Sequence, residues 1–352
     1  MVQAQHYNAS RIPSVTEGKF MQEFSGRELT AILLGILLAG PAVAQDTVPL
    51  RTRNLSPMVA IFGLPTWETG LEGRSQELAV VAEVANHYRL SSRGQEQLIL
   101  DGETWRTSFF YKRSLAGRWT FGVEMSLLRY SGGVLDDVID GWHSLFNLPD
   151  GSRNRLPEDQ FNFLYNDGGV NAFTLSESRT GLGDTQISLS RMVGGDSGVL
   201  LRAIVKLPTG DADTLAGSGA ADLSITLLRR SQMSWGSHPI GTYWGLGVMR
   251  VGTPEYLATR SEDWVGLGVL GGSWQPFEKI GLKVQLDYHT RFYNSSLVEL
   301  GSDSVQASIG GWWALDDRRT LSFALNEDLT VRTSPDVSLH LDFSWRLGAS
   351  PL

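Results

Sequence analysis

Residues 338–347 read Ser338-Leu339-His340-Leu341-Asp342-Phe343-Ser344-Trp345-Arg346-Leu347 and alternate polar and apolar side chains without a break. Successive side chains of a β-strand point to opposite faces, so this stretch predicts a strand with one polar and one apolar face. Such a strand suits a sheet that has lipid on one side and water on the other. Its place at the end of the chain is typical of the closing strand of an outer-membrane β-barrel.

The same alternation recurs from Gln76 onward and predicts about twelve strands, an even number as bacterial barrels require. The first three begin near Leu78, Gln97 and Trp119, and a bulge is expected in the second at Asp101-Gly102, where its phase shifts. The remaining nine are predicted at 184–193, 199–207, 222–230, 239–250, 262–274, 279–292, 304–315, 320–329 and 336–347.

The predicted fold is all-β: an antiparallel, transmembrane, up-and-down barrel over residues 76–348, with one short helix in an extracellular loop. Connections counted back from the C-terminus alternate between short and long, and the longest, 131–183, is placed outside. Segments 160–165 and 170–176 form a further hairpin, but each is shorter than the roughly 9–11 residues a spanning strand needs. We interpret this hairpin as a protrusion, with fourteen strands as the alternative.

An export signal precedes the mature chain. Residues 29–39 are an apolar core followed by small residues, and about eleven apolar residues suit a signal peptide but not a spanning helix, which needs roughly 20. Residues 1–44 are therefore assigned to a signal peptide and upstream residues, with cleavage after Ala44 and translation starting at Met1 or Met21. No other apolar run is long enough to span as a helix, which excludes a helical membrane protein.

Composition limits the function further. The chain has a net charge of −8, which the removal of residues 1–44 leaves unchanged, and an acidic exported chain is not expected to bind nucleic acid. It contains 0 Cys, so it has no disulfides and no thiolate metal site. Its 39 Gly, 11 Trp, 14 Phe and 9 Tyr favour a barrel with aromatic girdles over a soluble exported β-protein.

Residues 45–75 are apolar but irregular, punctuated by Pro and Gly, and poorly suited to a spanning strand. We expect this N-terminal segment to pack in or across the periplasmic mouth of the barrel. The alternative is a plug that controls access to the lumen.

Inward-facing polar positions provide the candidate functional residues. In a wet lumen they line a passage and set its selectivity, or they form ion pairs that fill a narrow barrel. The lumen-lining candidates are Glu83, Arg106, Glu124, Arg202, Lys206, Lys283, Asp287, His289, Arg291, His340, Asp342 and Arg346.

One loop segment, 133–146, has helical spacing, with apolar residues on one face. Asp136, Asp140 and His143 share another face at a spacing that suits a divalent metal, yet carboxylates near a helix N-terminus are stabilising in any case. We therefore expect no metal or other cofactor, and a helix packed on the outer mouth. Asp136, Asp140, Trp142 and His143 are the surface-loop candidates.

Four motifs are spread over nearly the whole mature chain. They are Leu55-Ser56-Pro57 through Ile61-Phe62-Gly63-Leu64-Pro65, Leu100-Asp101-Gly102-Glu103-Thr104, Asp140-Gly141-Trp142-His143 with Leu148-Pro149-Asp150-Gly151, and Gly181-Leu182-Gly183-Asp184. Together they resemble a bacterial outer-membrane family, domain-of-unknown-function family 3187. The resemblance implies an exported proteobacterial envelope protein and transfers no catalytic residues.

These observations favour an outer-membrane barrel that is a narrow channel or a binding barrel for small molecules. Expected partners are outer-membrane lipid, small solutes and, during biogenesis, the barrel-assembly machinery. We expect no enzymatic activity. The alternatives are a lipid-modifying hydrolase using His289 or His340, and a structural or surface-interaction barrel without transport.

Overall fold

The structure is a computed structural model, and it describes residues 47–71, 73, 75–133, 161–194, 198–236, 238–330, 333–335 and 337–348. Within these residues the chain is built mainly of antiparallel strands. The strands are β1 Ser75–Arg93, β2 Glu96–Leu115, β3 Trp119–Ser131, β4 Asn162–Asp167, β5 Val170–Leu175, β6 Arg179–Leu182, β7 Thr185–Val193, β8 Val199–Leu207, β9 Asp222–Trp235, β10 His238–Arg250, β11 Trp264–Phe277, β12 Ile280–His289, β13 Ser304–Ala314, β14 Arg319–Asp328 and β15 Val337–Gly348.

Among the residues that the structure describes, the helices are short. Two four-residue α-helices lie at Pro57–Ala60 and Val298–Gly301, and single 3₁₀ turns lie at Ala116–Arg118 and Ala212–Thr214. In the part of the chain that the structure describes, no helix is long and apolar enough to cross a membrane.

The sheet closes because β1 pairs with both β2 and β15, with Ser75 opposite Gly348 and Ala85 opposite Ser338. All strands except β4 and β5 form the closed wall, a twelve-stranded antiparallel barrel in which β6 and β7 together make one strand opposite β3. The predicted fold class and strand number are confirmed. The ends of the barrel are distinguished by their connections, and we call them the short-turn end and the long-loop end.

The β4–β5 hairpin extends the wall at the long-loop end. It pairs with β2 at Glu96–Asp101, beyond the point where β2 pairs with β3. The bulge predicted at Asp101-Gly102 is absent: β1 and β2 pair without a register shift through this point. Gly102 instead has a φ of 141°, and a Cβ there would lie 2.8 Å from the carbonyl oxygen of Ser131.

A bulge lies elsewhere, between β6 and β7. Leu127 is opposite Leu182 and Glu124 is opposite Gln186, so three residues of one strand face two of the other. Two consecutive residues at this point, Gly183 and Asp184, are both buried. The bulge therefore turns the Asp184 side chain inward.

The two faces of the wall differ as the alternation predicts. On β15, Leu339 and Leu341 are 47% and 48% exposed on the outer face, whereas His340 and Asp342 are 3% and 6% exposed on the inner face. Exposed aromatic residues stand near the ends of the barrel, among them Trp235, Trp264 and Phe277. Apolar outer faces with aromatic rims are what a lipid bilayer requires.

Residues 47–71, which we call the lumenal segment, lie inside the barrel, and all but Val48 of residues 47–69 are buried. One arm rises along β12, where the Leu50 amide donates to Gln285 and Thr52 donates to Asp287. After the helix at Pro57–Ala60 the second arm returns, with the Gly63 amide donating to Asp222. The segment is therefore a hairpin whose two arms fill the lumen.

Candidate functional site

Charged groups cluster in the short-turn half and in the middle of the lumen, and a further cluster lies around Lys206 near the long-loop end. They occupy inward positions of the barrel strands and of both arms of the lumenal segment. Because each group is withdrawn from water, it needs an opposite charge or a hydrogen-bond partner to be tolerated. The partners form three clusters.

The first cluster, the short-turn network, joins two charges of the lumenal segment to four charges of the wall. Its members are Arg51 and Glu68 from the segment and Glu77, Lys112, Arg202 and Asp342 from the wall.

Arg51 contacts both acidic wall groups. Its Nη1 lies 2.7 Å from Asp342 Oδ2, and its Nη2 pairs with Glu77. Glu68 contacts both basic wall groups: its Oε1 lies 2.8 Å from Arg202 Nη2, and its Oε2 lies 3.3 Å from Lys112 Nζ. The two arms also meet each other, with Arg51 Nε 3.7 Å from Glu68 Oε2.

These contacts set the charge state of Glu68. Burial by itself raises the pKa of its carboxyl group, but Arg202, Lys112 and Arg51 act in the opposite direction and hold that pKa well below its ordinary value. Glu68 is therefore ionised at neutral pH and keeps both basic wall groups paired.

The second cluster surrounds Arg53 in the middle of the lumen. Arg53 Nη2 lies 2.8 Å from Glu124 Oε1, and Arg53 Nε lies 3.9 Å from Glu83 Oε2. Arg106 Nη2 donates to the same oxygen of Glu124 at 3.2 Å, and His340 Nδ1 lies 3.2 Å from Glu83 Oε1. The segment again supplies a charge that the wall neutralises.

The third cluster is centred on Lys206, which is 2% exposed. Its Nζ lies 2.7 Å from Asp184 Oδ2 and 3.1 Å from Asp222 Oδ2, and it donates to the Ile61 carbonyl oxygen at 3.2 Å. The backbone approaches closely here: a Cβ on Gly63 would lie 2.8 Å from the Cβ of Lys206. Any larger residue at this position would push the segment away from the wall.

Apart from the Lys206 cluster, the tip of the lumenal segment meets mainly apolar residues near the long-loop end. The ring of Phe62 stacks on Phe292 with centroids 4.7 Å apart, and it lies 5.7 Å from the ring of Tyr293. The Tyr293 hydroxyl donates to the Met58 carbonyl oxygen at 2.9 Å. The loop after β12 thus folds inward over the tip of the lumenal segment.

The structure places most of the predicted lumen candidates inside the barrel. Asp287 and Arg346 are half-buried, and Arg346 lies at the short-turn mouth. The candidates that are buried on the inner face are Glu83, Arg106, Glu124, Arg202, Lys206, Lys283, His289, His340 and Asp342.

Arg291 is the exception, because it is exposed and pairs with Glu262 at 2.9 Å. Strand β12 ends at His289, and the next residue, Thr290, bonds to Gly266 through both its amide and its hydroxyl. The alternation changes phase at this point, so Phe292 faces inward and Arg291 faces outward, the reverse of the prediction.

The surface-loop candidates Asp136, Asp140, Trp142 and His143 lie outside the described residues, as does the predicted signal peptide. Within the described ranges, no group of three or more His, Asp or Glu side chains is arranged to hold a metal ion.

Sequence reasoning missed the charges on the lumenal segment and, among their wall partners, Glu77. Arg51, Arg53 and Glu68 stand in an otherwise apolar stretch, which is an unusual pattern for a segment buried by hydrophobicity alone. Glu77 lies six residues before Glu83 on β1, so the alternation places both side chains on the same face. The sequence therefore could have predicted that Glu77 faces inward.

A closed antiparallel sheet with an apolar outside and a charged inside defines an outer-membrane β-barrel. The chain belongs to the family described as protein of unknown function (DUF3187), whose model matches residues 27–347. No curated protein matches the chain.

Two solved structures were compared with the chain. The crystal structure of the COG4313 outer membrane channel from Pseudomonas putida F1 is similar, with a TM-score of 0.50 and 12% identity over 79% of this chain and 97% of that chain. The NanC porin is similar at a TM-score of 0.40 and 8% identity, covering 77% of this chain and 100% of the porin. The COG4313 likeness supports the barrel architecture, and this protein is a resident of the bacterial outer membrane.

Proposed function

We propose that this protein is an outer-membrane channel for small solutes and that the lumenal segment is its plug. The observation that carries the proposal is the way the segment is held: it fills the lumen, yet in the short-turn half its contacts with the wall are largely ionic. The plug keeps the channel closed, and its displacement opens the lumen.

The chemistry of these contacts supports a segment that leaves and returns. Separating apolar surfaces costs about 25 cal/mol for each Å² exposed to water. Separating buried ion pairs is different, because each charge regains hydration that it lost on burial. The wall charges of the short-turn network would then line a water-filled passage, as charged rings do in selective pores.

A lipid-modifying hydrolase is less well supported. A nucleophilic serine needs a base within hydrogen-bond reach, presented to the lipid. His289 and His340 are buried on the inner face, where His289 meets Asn54 and the Thr290 carbonyl and His340 meets Glu83. Among the described residues, neither imidazole contacts a serine hydroxyl.

Current recordings in planar lipid bilayers test the channel. We expect the wild-type protein to be closed most of the time, and we expect Glu68→Ala to increase its open time because Lys112 and Arg202 lose their partner in the plug. Glu177→Ala, at an exposed glutamate, is the matched control and should behave like the wild type.

Heat-modifiable mobility in gels verifies that each variant has folded. If the folded wild type and the folded Glu68→Ala variant both fail to pass current, the protein is a barrel without transport and the proposal is wrong.

A further inference from the structure

We infer, on the basis of the proposed channel, that its solute is a small zwitterion with one ammonium and one carboxylate group, such as a free amino acid, and that the wall groups of the short-turn network recognise it. This inference depends on which charges the plug presents to the wall. In the closed state the plug occupies the site and shows what the wall accepts.

The wall contributes two acidic and two basic groups to the network. Glu77 and Asp342 come from the neighbouring strands β1 and β15, and Lys112 and Arg202 come from β2 and β8. The acidic groups hold Arg51 of the plug, the basic groups hold Glu68, and within the wall Lys112 also pairs with Glu77 at 2.8 Å. The plug thus offers the wall one cation and one carboxylate, only 3.7 Å apart.

A zwitterion is the solute that replaces this pair without leaving a charge unpaired. When the plug leaves, it removes one charge of each sign. Lys112 and Glu77 keep each other as partners, so a solute that is only a cation would pair with Asp342 but leave Arg202 without a carboxylate, and an anion would do the reverse. Unpaired charges in a narrow lumen are costly, so the wall discriminates against both.

The acidic side also has unused acceptor capacity. Asp342 binds Arg51 through Oδ2, whereas its Oδ1 is buried with no hydrogen-bond partner among the described residues. An ammonium group has three N–H donors in a compact arrangement, and it can serve both carboxylates at once.

Access to the network is available from the short-turn end. A cavity of about 80 Å³ opens there beside Arg51, Glu77 and Asp342, with the turn residues Asp316 and Arg318 at its rim. A cavity of this size holds several water molecules. A small solute can therefore reach the network without the apolar contacts at the tip of the lumenal segment being disturbed.

Uptake into liposomes that contain the full-length protein tests the inference. The three probes are similar in size and differ in charge: L-alanine is a zwitterion, L-alaninol is a cation and L-lactate is an anion. Liposomes without protein supply the background. We expect protein-dependent uptake of L-alanine to be about fivefold faster than that of either other probe, the ratio that ~1 kcal/mol of differential interaction gives.

Variants on each side of the network should shift the preference in opposite directions. Asp342→Asn should slow alanine and alaninol relative to lactate, and Lys112→Gln should slow alanine and lactate relative to alaninol. Arg202→Gln replaces Lys112→Gln if the latter does not fold. Asp263→Asn, at an exposed carboxylate in the loop after β10, is the matched control and should leave all three rates unchanged.

The outcomes separate the inference from the channel itself. Equal protein-dependent rates for the three probes, or a preference unaffected by Asp342→Asn and by both basic-side variants, would overturn the inference and leave the channel standing. No protein-dependent uptake of any probe, together with the absence of current in bilayers, would overturn both.

Discussion

In the proposed channel, Glu68 is the residue on which the closed state depends most. It is the carboxylate of the plug that pairs with two basic wall groups from different strands, Lys112 and Arg202. It also meets Arg51 of the other arm. One side chain therefore ties the two arms of the plug together and fastens both to the wall.

Because the pKa of Glu68 is lowered in the folded protein, we expect the free energy of unfolding to depend on pH in the acid range. In the folded protein this pKa lies below the ordinary value of 4.5, so the carboxyl contributes stability at any pH above 4.5 and loses it as the pH falls toward the lower folded pKa. Below pH 4.5 this group should make the free energy of unfolding fall by up to about 1.4 kcal/mol for each pH unit.

We expect Glu68→Gln to remove this part of the pH dependence. Urea unfolding in detergent micelles between pH 3 and pH 6 measures it, and Glu177→Gln at an exposed site serves as the control. If the free energy of unfolding falls equally with pH in the wild type and in Glu68→Gln, then Arg51, Lys112 and Arg202 do not stabilise the ionised carboxyl group of Glu68.

Individual residues also show where alternation fails as a predictor. Parity along β12 correctly placed Lys283, Asp287 and His289 on the inner side, because each stands in an uninterrupted strand. The prediction was wrong for Arg291, because β12 ends at His289. At the next residue, the Thr290 hydroxyl accepts a hydrogen bond from the Gly266 amide of β11. Period-two patterns hold only while the ladder of backbone hydrogen bonds continues.

Among the elements, the barrel strands were predictable and the lumenal segment was less so. A strand in lipid must carry apolar residues at every second position, so its own sequence specifies its faces. The lumenal segment is different, because its course depends on partners more than 100 residues away, such as Asp342, Gln285 and Asp222. No local pattern encodes such contacts.

The bulge predicted in β2 at Asp101-Gly102 is absent. It was predicted where the alternation shifts phase, and the apolar residues on the inner side just before that point are Leu98 and Leu100. Both are buried in the apolar core that the hairpin residues Phe163 and Tyr165 join. Inward-facing residues are therefore polar at some levels of the barrel and apolar at others.

Strand β15 allows a test of the lipid-facing surface. Leu341 stands on its outer face near the middle of the strand, and Leu347 stands near its end. We expect Leu341→Arg to lower the free energy of unfolding in lipid by about 2–4 kcal/mol and Leu347→Arg by about 0–1, because a charge is costly at the bilayer centre and tolerated at the interface.

Urea unfolding in phospholipid vesicles measures this difference. Equal effects of the two substitutions would contradict the assignment of the β15 outer face to lipid at these depths.

For the molecule as a whole, the barrel and the lumenal segment form one closed unit. The wall closes through β1 and β15, which leaves no free edge in the barrel itself, and the segment occupies the space that closure creates. In the proposed channel, transport requires movement of the segment and not of the wall. Holding the segment in place should keep the channel shut.

The central claim is tested most directly by fastening the plug to the wall. The chain has 0 Cys, so an introduced pair has no competing thiols. Thr52 of the plug and Ser308 of β13 are suited to this purpose, with their hydroxyl oxygens 3.5 Å apart. Asn326→Cys with Ser338→Cys, which links the wall strands β14 and β15, is the matched control.

The measurement is the current across a planar bilayer that contains the Thr52→Cys, Ser308→Cys protein, recorded oxidised and then after reduction. We predict no current while the disulfide is intact and recovery of current on reduction, with the wall-to-wall control unaffected by its redox state. Equal currents from the fully cross-linked and the reduced protein would contradict the claim that the lumenal segment closes the channel.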